Sequence, residues 1–422
     1  MRDLGFTEPT PVQLAAIPPA LAGKDVLASA ATGSGKSAAF GLPLLQKLAD
    51  LPRGRTHVLI LAPTRELAAQ IAEHLQALAR YTKVRVAAVY GGVGFSPQAS
   101  AFRRGTDIIV ATPGRLLDHL TQGTANLDGV TTLVLDEADR MLDMGFLPDV
   151  RRILRNLPAQ RQTLFFSATI PAPIAALSKE ILRDAVRVNL ATPGAPASGV
   201  SQTIYSIDQL RKADLLIELL KDNTIYSAIA FTRTKARANR LAARLEKHNV
   251  KVDRIHGDRS QAQRTRALED FKLGKSRVLV ATDIAARGID IAALGHVVNY
   301  DVPMVAEDYV HRVGRTARMK APATRSPSSP PTKKNTSPKS NAPSAAASTA
   351  RKILRYRRPP RSPHTRRPRN ARAAEASAPQ VDLGNIVILS VGAKRRSRRT
   401  AVTSAAPFLL RLRPFGASLS MK

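Results

Sequence analysis

Two α/β domains with parallel sheets, set in tandem and followed by a basic tail, form the fold class that this sequence predicts. Three observations lead there. Short apolar runs alternate with amphipathic stretches from the N-terminus to about residue 190, and the alternation resumes from about 201. Between them, Ala191-Thr192-Pro193-Gly194-Ala195-Pro196 breaks the pattern with turn-forming residues. Past Met319, Pro, Ser, Arg and Ala dominate and periodicity is lost.

The elements follow in order. In the first domain, residues 1–190, the segments 57–62, 107–111, 132–135 and 163–167 read as buried strands, with 66–80 and 147–157 as helices. Residues 191–201 form the linker. In the second domain, residues 202–320, the segments 201–207, 227–231, 251–255, 277–281 and 296–299 read as strands, with 236–248 and 261–273 as helices. Strands that alternate with helices make a parallel sheet covered on both faces. Residues 321–422 are a basic low-complexity tail whose 321–380 portion is expected to be disordered. Within the tail, 385–391 and 406–410 are apolar but isolated and receive little structural weight.

A chain of 422 residues has room for two domains and a tail. No run of about 18 apolar residues predicts a transmembrane helix, and the N-terminus lacks the apolar core of a signal peptide. Cysteine is absent, which excludes disulfides and Cys-ligated zinc and fits a cytoplasmic location. The net charge of +33 points to polyanionic partners, nucleic acid first. About +20 of it falls on residues 321–422, and charge on a tail says less about function than a patch on a folded surface.

The chemistry is concentrated in a few motifs. Ala31-Thr32-Gly33-Ser34-Gly35-Lys36-Ser37 joins a strand expected at 26–29 to a helix expected at 37–47. In that context Thr32, Gly33, Ser34 and Gly35 form a phosphate-binding turn, because glycine lets backbone N–H groups approach phosphate oxygens at a helix N-terminus. Lys36 reaches the β- and γ-phosphates, and the Ser37 hydroxyl ligates Mg²⁺. Asp136-Glu137-Ala138-Asp139 follows the strand 132–135, at the carboxyl edge where open α/β sheets bind ligands. Asp136 suits Mg²⁺, and Glu137 suits orienting or deprotonating an attacking water. In His311-Arg312-Val313-Gly314-Arg315-Thr316-Ala317-Arg318, arginines are available to enter the first domain's site and stabilise a transferred phosphoryl group, or else to bind RNA.

With these motifs in place the chain resembles the DEAD-box family of ATP-dependent RNA helicases, in a texture similar to bacterial RhlE-like members, over about residues 1–320. Gly5-Phe6-Thr7-Glu8-Pro9-Thr10-Pro11-Val12-Gln13 looks like the Q motif, which implies Gln13 on the adenine edge and selection of ATP over GTP. Pro63-Thr64-Arg65-Glu66-Leu67-Ala68, Gly91-Gly92 and Thr112-Pro113-Gly114-Arg115 match the first domain's RNA-backbone motifs. Ser167-Ala168-Thr169 matches the segment that links nucleotide state to domain closure. Phe231-Thr232-Arg233, Gln261-Ala262-Gln263-Arg264 and Thr282-Asp283 match RNA-side and closure motifs. Ala286-Arg287-Gly288-Ile289-Asp290 and the His311–Arg318 stretch match ATP-facing ones.

The resemblance implies two RecA-like domains with ATP·Mg²⁺ and RNA bound across their cleft. Its ATP site holds Gln13, residues 32–37 and Asp290, with Lys36, Asp136, Glu137, Ser167, Thr169, His311, Arg315 and Arg318 serving catalysis. Its RNA side holds Arg65, Gly91, Gly92, Thr112, Pro113, Gly114, Arg115, Arg233, Gln261, Arg264 and Thr282. Recognition of the sugar–phosphate backbone carries little sequence specificity, and ribosome-assembly and RNA-decay partners are both open. The alternative is an ATP-independent basic RNA-binding or annealing protein with a defective second domain.

Two departures from the family stand out. Only four residues precede Gly5, and the upstream aromatic that stacks on adenine in family members is not among them; the expectation is either weakened nucleotide affinity or a true start that lies upstream. After Met319 the family continues with a Gly-Asp-Ala-like turn, an apolar strand and an acidic helix, whereas this chain turns Pro/Ser/Arg-rich. Shifted by one nucleotide, residues 323–329 permit Gly-Asp-Ala-Ile-Thr-Leu-Val, and the following six permit Thr-Pro-Asp-Glu-Glu-Glu. The expectation is out-of-frame translation from about residue 320, leaving the second domain without its last strand and helix and with an exposed sheet edge.

Overall fold

The structure, a computed structural model, describes residues 4, 6–31, 33–190, 200–221, 225–286, 294–304, 306–314 and 386–392. The first domain runs α1 (Pro11–Leu21), β1 (Val26–Ser29), α2 (Lys36–Leu48), β2 (Val58–Leu61), α3 (Arg65–Leu78), β3 (Val86–Val89), α4 (Phe95–Arg103), β4 (Ile108–Ala111), α5 (Pro113–Thr121), β5 (Thr132–Leu135), α6 (Ala138–Asp143), α7 (Leu147–Leu154), β6 (Gln162–Ser167), α8 (Ala172–Ile181) and β7 (Val186–Asn189). Its seven strands pair in the order β3-β4-β2-β5-β6-β1-β7, all parallel. Strands β1, β2, β4, β5 and β6 are buried along their whole length, as unbroken apolar runs in a sheet covered on both faces must be. One apolar cluster, containing Phe40, Ile60 and Phe166, lies on one side of the sheet, and another, containing Leu59, Leu133 and Phe165, lies on the other.

This topology gathers the motifs. The phosphate turn follows β1, Pro63-Thr64-Arg65-Glu66 follows β2, Gly91-Gly92 follows β3, Thr112–Arg115 follows β4, Asp136–Asp139 follows β5 and Ser167-Ala168-Thr169 closes β6. In a parallel sheet all these ends point the same way, so six motifs scattered over 140 residues share one edge.

The second domain runs β8 (Val200–Ser206), α9 (Lys212–Lys221), β9 (Ala228–Thr232), α10 (Lys235–Glu246), β10 (Val252–Ile255), α11 (Gln261–Lys272), β11 (Val278–Thr282), α12 (Asp283–Ala286), β12 (His296–Asn299), α13 (Ala306–Val313) and β13 (Ile386–Gly392). Its sheet order is β10-β11-β9-β12-β13-β8. The β10-β11-β9-β12 part is parallel, as a parallel-sheet domain requires, and β13 pairs antiparallel with both β12 and β8. Helix α11 begins with a capping box in which Ser260 accepts from Gln263 N–H and the Gln263 side chain accepts from Ser260 N–H.

One correction concerns the tail. Residues 386–392, given little weight from the sequence, form a strand, and Val387, Ile388, Leu389 and Ser390 are buried. A segment from far downstream thus stands between β12 and β8. The other tail segment, 406–410, the expected disorder at 321–380 and most of the linker lie outside the described residues. No helix among the described residues is long and apolar enough to cross a membrane.

Candidate functional site

The phosphate turn is shaped by its glycines. Gly33 and Gly35 have φ of 81° and 96°, the left-handed region that side chains resist. Gly35 is also crowded: a Cβ there would lie 2.7 Å from Gln13 Nε2 and 3.0 Å from Thr10 Oγ1. Gln13 is buried and works on the protein itself. Its Oε1 accepts from Thr10 N–H at 2.9 Å and its Nε2 donates to the Gly35 carbonyl at 3.2 Å, which ties α1 to the turn. Lys36 opens α2, buried; its Nζ donates to the Ala30 carbonyl at 3.2 Å and stands 3.9 Å from Asp136 Oδ1.

Opposite lies the acidic segment. Burial pushes the Asp136 carboxyl up to about 6, against the pull of Lys36 and with a further push from Glu137. Glu137 adopts φ 52°, a left-handed conformation that costs a non-glycine residue about 1–2 kcal/mol. That turn sends its carboxylate toward Arg140, whose Nε is 3.3 Å from Glu137 Oε2, with both side chains 2% exposed. Among the described residues no group of three or more His, Cys, Asp or Glu is placed to hold a metal, and the oxygen donors beside the turn are Asp136, near Lys36, and Ser37, which follows Lys36 in the chain. One carboxylate and a hydroxyl beside a phosphate-binding turn fit Mg²⁺, which keeps waters and takes its other ligands from phosphate.

Asp139 joins this segment to β6. Its Oδ2 accepts from Ala168 N–H at 3.2 Å, Thr169 N–H at 2.8 Å and Thr169 Oγ1 at 2.9 Å. Ser167 Oγ accepts from Asp139 N–H at 3.1 Å and donates to the Thr169 carbonyl at 2.7 Å. Ser167 and Thr169 therefore hold the segment rather than face the phosphate turn, and any shift of Asp139 is passed directly to residues 167–169.

On the same edge, Thr64 caps α3 by accepting from Leu67 N–H at 3.3 Å. The Arg65 guanidinium lies against Gly91 and Gly92, where a Cβ would collide with it. Arg115 donates to the Val93 carbonyl at 3.2 Å and lies over the Phe95 ring at 5.8 Å, while Thr112 is buried before α5 and Gly114 faces open space. The two domains meet here. Gln261 Nε2 donates to Glu66 Oε1 at 2.9 Å, Arg264 Nη2 is 2.8 Å from Glu66 Oε2, and Arg65 Nη1 reaches Gln261 Oε1 at 3.5 Å. Gln261 and Arg264, expected on RNA, thus have their polar ends on Glu66.

In the second domain Arg312, on α13, is 3% exposed and fully engaged. Its Nε and Nη2 donate to both oxygens of Asp283 at 2.6 Å, and its Nη1 donates to Asn299 Oδ1 at 2.8 Å and the Asp301 carbonyl at 2.7 Å. Asp301 in turn accepts from Arg233 N–H at 2.9 Å and Arg237 Nη1 at 2.6 Å. Arg233 is held beside it, Thr282 is buried at the end of β11, and His311 is partly exposed on α13. Thr32, Asp290, Arg315 and Arg318 lie outside the described residues.

Sequence reasoning passed over Glu66, Asp139, Arg140, Arg312 and Asp301 as site residues. Glu66 and Asp139 stood inside quoted motifs, and their charge beside chemically assigned neighbours was the available signal. Nothing local distinguishes Asp301.

Comparison with known proteins places this arrangement. The DEAD/DEAH box helicase family profile matches residues 10–177, and the helicase conserved C-terminal domain matches residues 211–320. The chain is 46% identical over 315 residues to the ATP-dependent RNA helicase CshA of Listeria monocytogenes, covering 75% of this chain and 60% of that protein. It is 43% identical over 315 residues to the DEAD-box ATP-dependent RNA helicase CshA of Geobacillus kaustophilus, covering 75% of this chain and 67% of that one. The chain thus spans three-fifths to two-thirds of the length of these relatives. Among solved structures, Saccharomyces cerevisiae Dbp5 bound to RNA and ADP BeF3 matches at a TM-score of 0.69 with 34% identity, over 75% of this chain and 83% of that one. On the family matches and the shared two-domain fold, the chain belongs to the DEAD-box family of ATP-dependent RNA helicases.

Proposed function

We propose that this chain couples ATP binding and hydrolysis to local unwinding or remodelling of RNA duplexes or RNA–protein complexes. The observation that carries this reading is the Glu66 bridge to Gln261 and Arg264. It joins the two domains on the edge where Arg65, Gly92 and Thr112–Arg115 lie and where the phosphate turn and Asp136–Asp139 also open. Closure of the domains and occupancy of the nucleotide site therefore act on one surface.

In this mechanism the backbone N–H groups of the turn and the Lys36 ammonium bind the β- and γ-phosphates. Asp136 and Ser37 would hold Mg²⁺, which neutralises charge on those phosphates. Glu137 orients the attacking water and takes its proton as the bond from water oxygen to γ-phosphorus forms and the bond to the ADP oxygen breaks. Arg315 and Arg318 are proposed to stabilise the charge on the transferred group. Asp139 relays the nucleotide state to Ser167-Ala168-Thr169. Arg65, Gly91, Gly92, Thr112, Pro113, Gly114, Arg115, Arg233 and Thr282 are proposed to meet the RNA backbone. Gln13 is proposed to read adenine with the second N–H and second lone pair of its amide, the first of each being used on Gly35 and Thr10. We place the activity in the cytoplasm, in keeping with its likeness to bacterial RNA helicases.

The test is the ATPase rate of the full chain with and without single-stranded RNA at moderate salt. RNA-stimulated turnover supports the reading. RNA binding that is steeply salt-sensitive and indifferent to ATP overturns it in favour of binding by charge alone.

A further inference from the structure

Strand β13 is separated from the end of α13 by more than seventy residues, and the helicase family match stops at residue 320. The strand nonetheless sits inside the second sheet. It pairs with β8 at seven positions, from Ile386↔Ser206 to Gly392↔Val200, and with β12 at four, from His296↔Val391 to Asn299↔Ile388. Without it, β8 loses its contact with the sheet and β12 becomes an edge with unpaired backbone groups.

Its side chains divide as a two-faced strand requires. Val387 and Leu389 are buried in the cluster of Leu216, Leu220, Leu245 and Val298, and Val391 packs against it. Ser390, on the opposite face, is buried and pairs in register with Gln202. Gln202 Oε1 accepts from Tyr309 Oη of α13 at 2.7 Å. On the other flank, β12 supplies Asn299 to Arg312 of the same helix. Helix α13, which leads into Arg315 and Arg318, is therefore held by the two strands that β13 joins.

We propose that Ile386–Gly392 is a donor strand. The second domain is built with a slot between β12 and β8, the chain's own distant segment fills it in cis, and RNA-stimulated turnover depends on the filled slot because α13 rests on its two walls. Strand addition of this kind draws affinity from main-chain hydrogen bonds and selectivity from alternate side-chain pockets. Here both are present, with Val387 and Leu389 as the pocket residues. The turnover part rests on the helicase reading, whereas the strand placement stands without it.

The chain has no cysteine, so a pair introduced into the full-length protein reports without background. Ile204 and Ile388 are cross-strand partners, about 4.5–5.5 Å apart at Cα, within the range of a disulfide. Ile204→Cys with Ile388→Cys is expected to oxidise to one disulfide within a single chain. Ile204→Cys with Ser390→Cys, a diagonal pair, is expected to link poorly. The locked protein is expected to keep its RNA-stimulated turnover. Val387→Asp in the full chain is expected to lower that turnover about tenfold or more by opening the slot, with binding of a fluorescent ATP analogue by the first domain retained and Val387→Ile behaving as the parent. No cross-link, a cross-link only between two chains, loss of turnover on locking, or undiminished RNA stimulation in Val387→Asp would overturn the proposal. If the parent protein itself shows no RNA stimulation, the helicase reading fails while the cross-link still reports on the strand.

Discussion

The two domains enter one crossover alike and are closed differently. After β2 the chain enters α3 through Thr64, and after β9 it enters α10 through Thr234; each threonine accepts a hydrogen bond from the third residue of its helix. The first sheet is then completed from one continuous stretch, β1 to β7. The second waits for a strand that arrives only at Ile386. Their buried hubs differ as well: Asp139 collects donors in the first domain, and Arg312 supplies them in the second. The contrast shows that one architecture supports two kinds of dependence. The nucleotide half closes its sheet within one continuous stretch around a buried carboxylate, and its partner relies on a buried cation and a remote segment.

The sharpest way to break this comparison is at Glu137. Glu137→Gln keeps the shape and removes the base, so turnover should fall about 10²–10⁴-fold while ATP and RNA binding persist; normal hydrolysis would show that another group takes the proton. Lys36→Ala should weaken nucleotide binding itself, measured by titration. Next is Arg312→Ala, which leaves Asp283 without its bidentate partner. Asp283 keeps 24% of its side chain exposed, so losing this charge-assisted contact costs about 1.5–3 kcal/mol, and calorimetry should show a lowered transition for the second domain alone. Glu66→Ala tests the seam between the halves. RNA-stimulated turnover should drop about tenfold, in line with a charge-assisted hydrogen bond, with both melting transitions near those of the parent. Smallest are the caps: Thr64→Ala and Thr234→Ala should each cost about 1 kcal/mol, each on its own domain's transition, and a shared shift would mean that the halves melt as one unit.

Much of this was legible in the sequence because each motif of the first domain follows a continuous apolar run such as Val58–Leu61, and the end of a buried parallel strand is where ligands are met. The strands that escaped notice are β3 and β7, whose Val-Ala-Ala-Val and Val-Arg-Val-Asn are short, partly exposed and weak in pattern. Helix α1 carries Pro18 and Pro19, which read as a break. β13 was overlooked for a different reason. Its residues look like a strand, but the partners lie nearly 200 residues away, at Gln202 and Thr203, and local pattern does not reveal a distant pairing. Likewise, nothing in His-Arg-Val-Gly-Arg marks Arg312 as the buried arginine. That follows only from Asp283, Asn299 and Asp301 converging on it.

The left-handed backbone at Glu137 has an evolutionary corollary. Glycine at that position would relax the turn by about 1–2 kcal/mol but leave the buried Arg140 without its carboxylate, a loss of about 3–5 kcal/mol, so the fold itself keeps the strained residue in place. A lineage released from the need to hydrolyse ATP should therefore change positions 137 and 140 together, while Gly35 stays, since geometry and crowding leave no alternative there.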